Sequence, residues 1–567
     1  MAAIIADNII SPLGSTTGAN YRAVKAGKTA LRPYNNVSGI PFPFTAALFS
    51  EEQKEEFTTG GLTLFESLAV TSIRKALEGC QIPLDSRTCL VISSTKQNIG
   101  MLTTEGTPAE NVLYPGRSAG RIARAIGVTT TPIIVCNACI SGVSALILGN
   151  RLIEMQEYDH VIVCGIDLQS PFIISGFHSL KALSDAPCRP FDLERTGLNL
   201  GEAAATVILG RETGPDRWNI TGAAVRNDAF HISSPSPKGE GCRMVIQDAL
   251  GEEGTEGLAL INAHGTATLY NDQMEARAIA QAGLADIPTN ALKGYYGHTM
   301  GAAGILETII TLHAVEDGTV IGTKGYEELG VSGNLNIIRD NTPTTKTSFL
   351  KLISGFGGCN AAILLTSQPP LGGEKSQCPT LNVRHHIVIT PQSVQIDGEI
   401  TDTGQQKGMA LLTYLYKTYI QDYPKFYKMD ALARLGFVAT ELLIRKEREA
   451  RGKEQEAEDR RAVIFFGQSS SIHADKEFLA SIADPGNFFP SPAAFVYTLP
   501  NIVNGEVAIR NNCHGETAFY ILPHKDDNIM RMTSQATMLD SYHKSIITGW
   551  LDYKSEEDFQ AELRIEN

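Results

Sequence analysis

At 567 residues, with roughly 100–200 residues per domain, the chain has room for several domain-sized units. Hydrophobic residues make up 43%, charged residues 19%, and the net charge is −14; such a chain buries a core and lacks the basic surface of a general nucleic-acid binder. No apolar run is long enough to span a membrane, the N-terminus shows no secretory pattern, and the ten cysteines are dispersed, so a reduced cytoplasmic protein is expected.

In chain order, CLVISST (89–95), TPIIVCN (131–137), HVIVCGI (160–166), AATVILG (204–210) and LALINAH (258–264) are short, apolar and β-branched. They read as buried strands. FESLAVTSIRKALEGC (65–80) and SGVSALILGNRLIEM (141–155) carry helical spacing. The alternation predicts an α/β fold with helices covering buried sheets. The Pro- and Gly-rich stretch SQPPLGGEKSQCPT (367–380) marks a break. The expected organisation is a domain over 1–366, a linker over 367–385 and a smaller C-terminal α/β module over 386–567.

That module repeats the first region weakly. MDALARLGFVATELLI (429–444), AVIFFGQSSS (462–471) and TLPNIVNGEVAIRNNC (498–513) follow the order of residues 65–80, 89–95 and 115–128. A last helix-like stretch (532–553) takes the place of 141–159. Two readings stand: a degenerate, non-catalytic half of the same fold, or an unrelated α/β module. The charged run 445–461 is expected to be a solvated helix end and loop.

The chemistry centres on IIVCNACISGVSALILGN (133–150), where an apolar strand meets Cys139 and a helix with small residues follows. A helix N-terminus lowers thiol pKa and favours the thiolate. Cys136 makes a CxxC with Cys139, but no second pair stands at zinc spacing. INAHGTATLYND (261–272) sets His264 at a strand end, and KGYYGHTMGAAGILE (293–307) sets His298 in a glycine-rich turn. One cysteine and two histidines in such turns suggest nucleophilic cysteine chemistry with two hydrogen-bond donors.

These stretches resemble the β-ketoacyl synthases, thiolase-fold condensing enzymes of fatty acid and polyketide synthesis. CNACISG resembles the nucleophile motif, CRPFDLERTGLNLGEAAATVILG (188–210) the RPFD…GEGA stretch, and GFGGCNAA (355–362) the closing motif. HGTATLYNDQMEA and KGYYGHTMGAAG supply the two histidines, as in the elongating, Cys-His-His branch. The resemblance implies a layered αβαβα fold and no metal or cofactor. It implies a Cys139 nucleophile, donors His264 and His298, a supporting Lys293–Glu307 pair, and an oxyanion hole and acyl gate at Gly355, Phe356 and Gly357. The implied reaction is decarboxylative condensation of an acyl group on Cys139 with malonyl-acyl carrier protein. The implied partners are an acyl carrier protein and a second copy or a synthase-like subunit, with no nucleic acid and no membrane. Two other activities fit the same pattern: a non-catalytic subunit that shapes a partner's pocket, and a coenzyme A-dependent thiolase or starter synthase. Ser354 stands where the family commonly has an aromatic residue, and Glu202 remains in a softened GEGA stretch.

Overall fold

The computed structural model describes residues 1–35, 37–103, 112–212, 217–251, 254–368, 378–451 and 458–567. The first region begins β1 (Ala3–Ile10), α1 (Leu64–Glu78), β2 (Thr88–Ser93), α2 (Pro115–Ile126), β3 (Ile133–Val135), α3 (Ser141–Glu154), β4 (His160–Asp167) and β5 (Ala203–Gly210). It continues with β6 (Trp218–Asn227), α4 (Glu240–Leu250), β7 (Leu258–Asn262), α5 (Leu269–Gln281), α6 (Ala303–Glu316), β8 (Ser348–Gly355) and β9 (Cys359–Thr366). The second region adds β10 (Val383–Ile389), α7 (Ala431–Arg451), β11 (Arg461–Gly467), α8 (Ile502–Asn511), β12 (Thr517–Ile521), α9 (Asp527–Met538), β13 (Ser545–Ser555) and β14 (Asp558–Glu566).

Local chemistry sets these elements. Thr63 and Glu66 form a capping box that starts α1. Pro115 opens α2, and Gly127, with φ of 90°, closes it. Strands β2, β3 and β5 are buried along their whole length. This is why they appear in the sequence as unbroken apolar runs and not as alternating ones.

Ten strands run through both regions in the order β10–β14–β13–β11–β12–β3–β2–β4–β5–β1, with β10 also pairing the short strand Val394–Ile396 and β1 also pairing the start of β6. The order reads the same from either end, directions included. Two antiparallel edge pairs flank two parallel pairs on each side. At the centre β3 and β12 run antiparallel, with Val135 opposite Tyr520 and Ile134 opposite Ile521. The second region thus repeats the strand order and directions of the first. A second sheet, β6–β9–β8–β7, follows in the first region; among the described residues the second region has no counterpart. The core crosses the seam: Leu68, Ile73 and Ile122 pack in one cluster with Leu435, Val438 and Leu443. No helix among the described residues is long and apolar enough to cross a membrane.

Three expectations need correction. The stretch 532–553 is not one helix: α9 stops at Met538, and Ser545–Ser555 forms the buried strand β13. The charged run is only partly solvated, because Glu447 on α7 and Arg461 on β11 pair at 2.7 Å, each 1% exposed; residues 452–457 lie outside the described residues. Strand β10 begins at Val383, within the stretch expected as linker, of which 369–377 lie outside the described residues.

Charges also bind the halves. Arg151 on α3 meets Glu516 at 2.7 Å, both nearly buried. Removing one partner of such a pair leaves an uncompensated buried charge. R151M is expected to cost about 3–5 kcal/mol, seen as a drop of several degrees in Tm by calorimetry. Adding E516Q should restore most of the loss.

Candidate active site

The chain leaves β3 through a strained turn. Ala138 has φ of 47°, a left-handed conformation that non-glycine residues seldom adopt. The turn delivers Cys139 to the wall of a cavity of about 460 Å³. The backbone N–H of Asn137 donates to Ser141 Oγ at 2.8 Å, and its side-chain amide donates to the Thr517 carbonyl of β12 at 2.8 Å. The second half thus grips the turn two residues before the sulfur.

His264 follows β7 and is held on both sides of its backbone. Its N–H donates to Glu275 Oε1 at 2.7 Å, and its carbonyl accepts from Lys293 Nζ at 2.6 Å. The N–H of Gly265 donates to the other oxygen of Glu275 at 2.8 Å. His298 is held by the stretch 199–201: its N–H donates to the Asn199 carbonyl at 2.7 Å, and its carbonyl accepts from Gly201 N–H at 3.0 Å. Gly201 has to be glycine, since a Cβ there would overlap the Tyr296 carbonyl. Asp167, at the end of β4, accepts from Gly301 N–H and Ser94 Oγ, each at 2.7 Å, and so ties the histidine turn to the first sheet.

The Met300 N–H donates to His298 Nδ1 at 3.2 Å, which leaves the ring proton on Nε2. The two imidazoles stand edge to face, 5.1 Å apart. One polar atom from each of Cys139, His264 and His298 lies within 4.8 Å of the others. His264 Nδ1 and His298 Nε2 make no hydrogen bond of their own.

Behind them Lys293 Nζ meets Glu307 Oε1 at 2.7 Å, both residues buried. Gly355 brings the closing loop against the nucleophile, where a Cβ would lie 3.2 Å from Cys139 N. Gly357 follows at φ of 91°. The Phe356 carbonyl accepts from Asn501 Nδ2 of the second half at 2.8 Å. The Phe356 ring lies 6.1 Å from Phe177, which meets Phe495 of the second half edge-on at 5.5 Å. Ser354 replaces an aromatic contact with a hydrogen bond to Asn360 Oδ1 at 2.7 Å.

The electrostatics overturn one expectation. Burial pushes the Cys139 thiol up to about 12, although Lys293 opposes the rise. The helix start does not yield a resting thiolate, because desolvating the anion costs more than the helix end returns. Burial, then Lys293, holds both imidazoles well below their usual value; Lys351 adds to this at each ring. Near neutral pH the site contains a thiol and two neutral imidazoles.

All eight site residues expected from sequence line this cavity or support its walls. Sequence reading missed Asp167, Glu275, Lys351 and Asn501. Glu275 stands inside the HGTATLYNDQMEA stretch, and Lys351 is a lone charge in the apolar run SFLKLIS; both were visible signals. Asp167 and Asn501 have no local signal.

Residues 62–214 match the β-ketoacyl synthase N-terminal domain, and residues 218–327 match the β-ketoacyl synthase C-terminal domain. The first region belongs to the β-ketoacyl synthase family. A 3-oxoacyl-[acyl-carrier-protein] synthase 2 of Coxiella burnetii is 28% identical over 403 residues, covering 63% of this chain and 96% of that protein. The ketoacyl synthase alpha subunit of the Streptomyces glaucescens tetracenomycin polyketide synthase is 28% identical over 406 residues, covering 63% and 94%. The solved PfaC keto synthase–chain length factor matches all of this chain and 78% of its own at a TM-score of 0.76 and 13% identity. The shared fold therefore includes the second half.

As a β-ketoacyl synthase with a protonated resting thiol, the protein should alkylate in a characteristic order. Exposed Cys378 should react with iodoacetamide before buried Cys139 at pH 7. With its thiol at about 12, Cys139 labelling should rise about tenfold per pH unit through pH 9 without a plateau. Peptide mass mapping across pH checks both; a plateau near pH 7 would reveal a preformed thiolate.

Proposed function

We propose that the protein catalyses decarboxylative Claisen condensation, joining an acyl group on Cys139 to malonyl-acyl carrier protein. The product is a 3-oxoacyl-acyl carrier protein of fatty acid or polyketide synthesis. The observation that carries this reading is the convergence of Cys139, His264 and His298 on one cavity, with the Phe356 loop against the nucleophile's amide.

In the first half-reaction Cys139 sulfur attacks the incoming thioester. Its proton leaves through a neutral imidazole and ends on the departing carrier thiol. The tetrahedral oxyanion is stabilised by backbone donors of Cys139 and Phe356. In the second, His264 and His298 donate to the malonyl thioester oxygen. Charge on that oxygen grows as carbon dioxide leaves, so these donors favour the transition state over the ground state. The enolate carbon attacks the acyl group, its bond to the Cys139 sulfur breaks, and the released thiolate takes a proton from solvent. Gly355 and Gly357 allow the loop its close approach, and the Lys293–Glu307 pair anchors the strand end that bears His264.

Ten cysteines dispersed along the chain support a reducing cytoplasmic setting. The second half acts as a built-in pocket wall. Phe495 packs against Gly176 and Phe177 beside the cavity, which limits acyl length on that side.

Intact-protein mass after mixing with acyl-carrier thioester should show an acyl adduct on the wild type and none on C139A. H264A and H298A should still acylate but lose about 10²–10³-fold in malonyl decarboxylation. F495A should shift acyl preference toward longer chains. A wild type that takes no acyl group of any length overturns the reading.

A further inference from the structure

Strand β8 carries a single charge, Lys351, with no exposed surface. Its Nζ lies 2.5 Å from Glu307 Oε2 and 3.3 Å from the Ala263 carbonyl. The other oxygen of Glu307 takes Lys293, which also holds the His264 carbonyl. Two ammonium groups thus share one carboxylate, and each reaches one of two successive carbonyls at the end of β7.

The charge count matters. Lys293 with Glu307 alone sums to zero; Lys351 makes the buried cluster positive by one. The further acid facing it is Glu275 on α5, whose oxygens are engaged by the amides of His264 and Gly265 and whose carboxyl is pushed up by burial. Lys351's neighbours across the sheet, Asn262 and Ile363, carry no charge. The groups beyond are the two imidazoles, both of which feel Lys351. A buried ammonium is costly, and an apolar side chain usually serves packing as well or better. A packing role therefore leaves Lys351 unexplained, whereas negative charge developing in front of the imidazoles accounts for it.

We propose that Lys351 is a positioning residue of the decarboxylation half-reaction: as a cation it fixes Glu307 and the Ala263–His264 strand end, and it supplies the net positive charge behind His264 and His298 that stabilises the malonyl enolate. This rests on the condensation reading above. Burial also draws the Lys351 ammonium below its ordinary value of 10.5, against the pull of Glu307. The cation is therefore lost as pH rises through that lowered value, and decarboxylation should fall with it.

The test uses the full chain as wild type, K351M and K351R. Acyl loading is read by intact mass, and carbon dioxide release from malonyl-acyl carrier protein is read across pH 6–10. K351M is expected to load Cys139 within a few-fold of the wild-type rate, yet decarboxylate about 10–100-fold more slowly, with the wild-type alkaline fall gone. K351R should restore most of the rate and move the alkaline fall upward, because a guanidinium stays protonated. If K351M does not accumulate as folded protein, wild type against K351R across pH decides the matter: an unmoved alkaline fall overturns the assignment. So does a folded K351M with the wild-type rate and profile. A wild type that neither loads nor decarboxylates overturns the condensation reading itself, which is a distinguishable failure.

Discussion

The antiparallel pairing of β3 with β12 is the contact on which the rest of the molecule depends. Val135 and Ile134 pair with Tyr520 and Ile521, and the Cys136 N–H donates to the Phe519 carbonyl at 3.0 Å. Without it, β3 would be an open edge next to the nucleophile, a site for unwanted strand addition. The seam also fixes the direction in which β3 ends. The turn from β3 into α3 is strained, and strain persists only where its surroundings over-determine it. Asn137, tied to Thr517, supplies one of those constraints from the other half. Order in the second half and geometry at Cys139 are therefore one property.

The two halves share a strand order but not a chemistry. After β3 the chain presents Cys139 and a helix; after β12 it presents Leu522 and Pro523. His264 follows a strand of the second sheet, which only the first region builds among the described residues, and His298 sits in a turn held by residues 199–201. What the second half contributes is placement. Asn501 caps α8 without using its side chain on the helix, so its amide is free to hold the Phe356 carbonyl. Asp475 pairs at 2.5 Å with Lys96, which lies just beyond β2. Lys96 also donates to the Thr498 carbonyl, so this buried cation is satisfied by the second half.

Strands buried on both faces left plain apolar runs; the strand-to-helix turn at Cys139, with small residues after it, and the glycine beside each histidine made the site's main residues readable in sequence. The repeat was readable only as an order of elements, because α/β chains share such patterns by default. The error over residues 532–553 has a local cause. Helix α9 ends in Met538–Leu539 with no glycine or proline stop, and β13 begins within a few residues. The thiol's direction was misread for a different reason. A helix start can be seen in sequence, but the burial that outweighs it is a property of the assembled layers. Asn501 and Asp167 act across more than a hundred residues of chain, so no spacing rule reaches them.

Enclosure sets both the cost and the strength of this site. Burial raises the Cys139 thiol and lowers the imidazoles, so no ion pair waits among the reacting groups. The charge lies one layer back, on Lys293, Lys351 and Glu307, where hydrogen bonds of 2.5–2.7 Å hold it. In a low-dielectric interior, fixed charge at that depth acts on any anion formed in front of it more strongly than it would in water. Substrate brings its own polarity: a thioester for the thiol, a carboxylate for the positive cluster. The same dry surroundings that deny Cys139 a resting thiolate also favour expelling carbon dioxide, since the departing carboxylate exchanges its localised charge for an enolate spread toward the two imidazole donors.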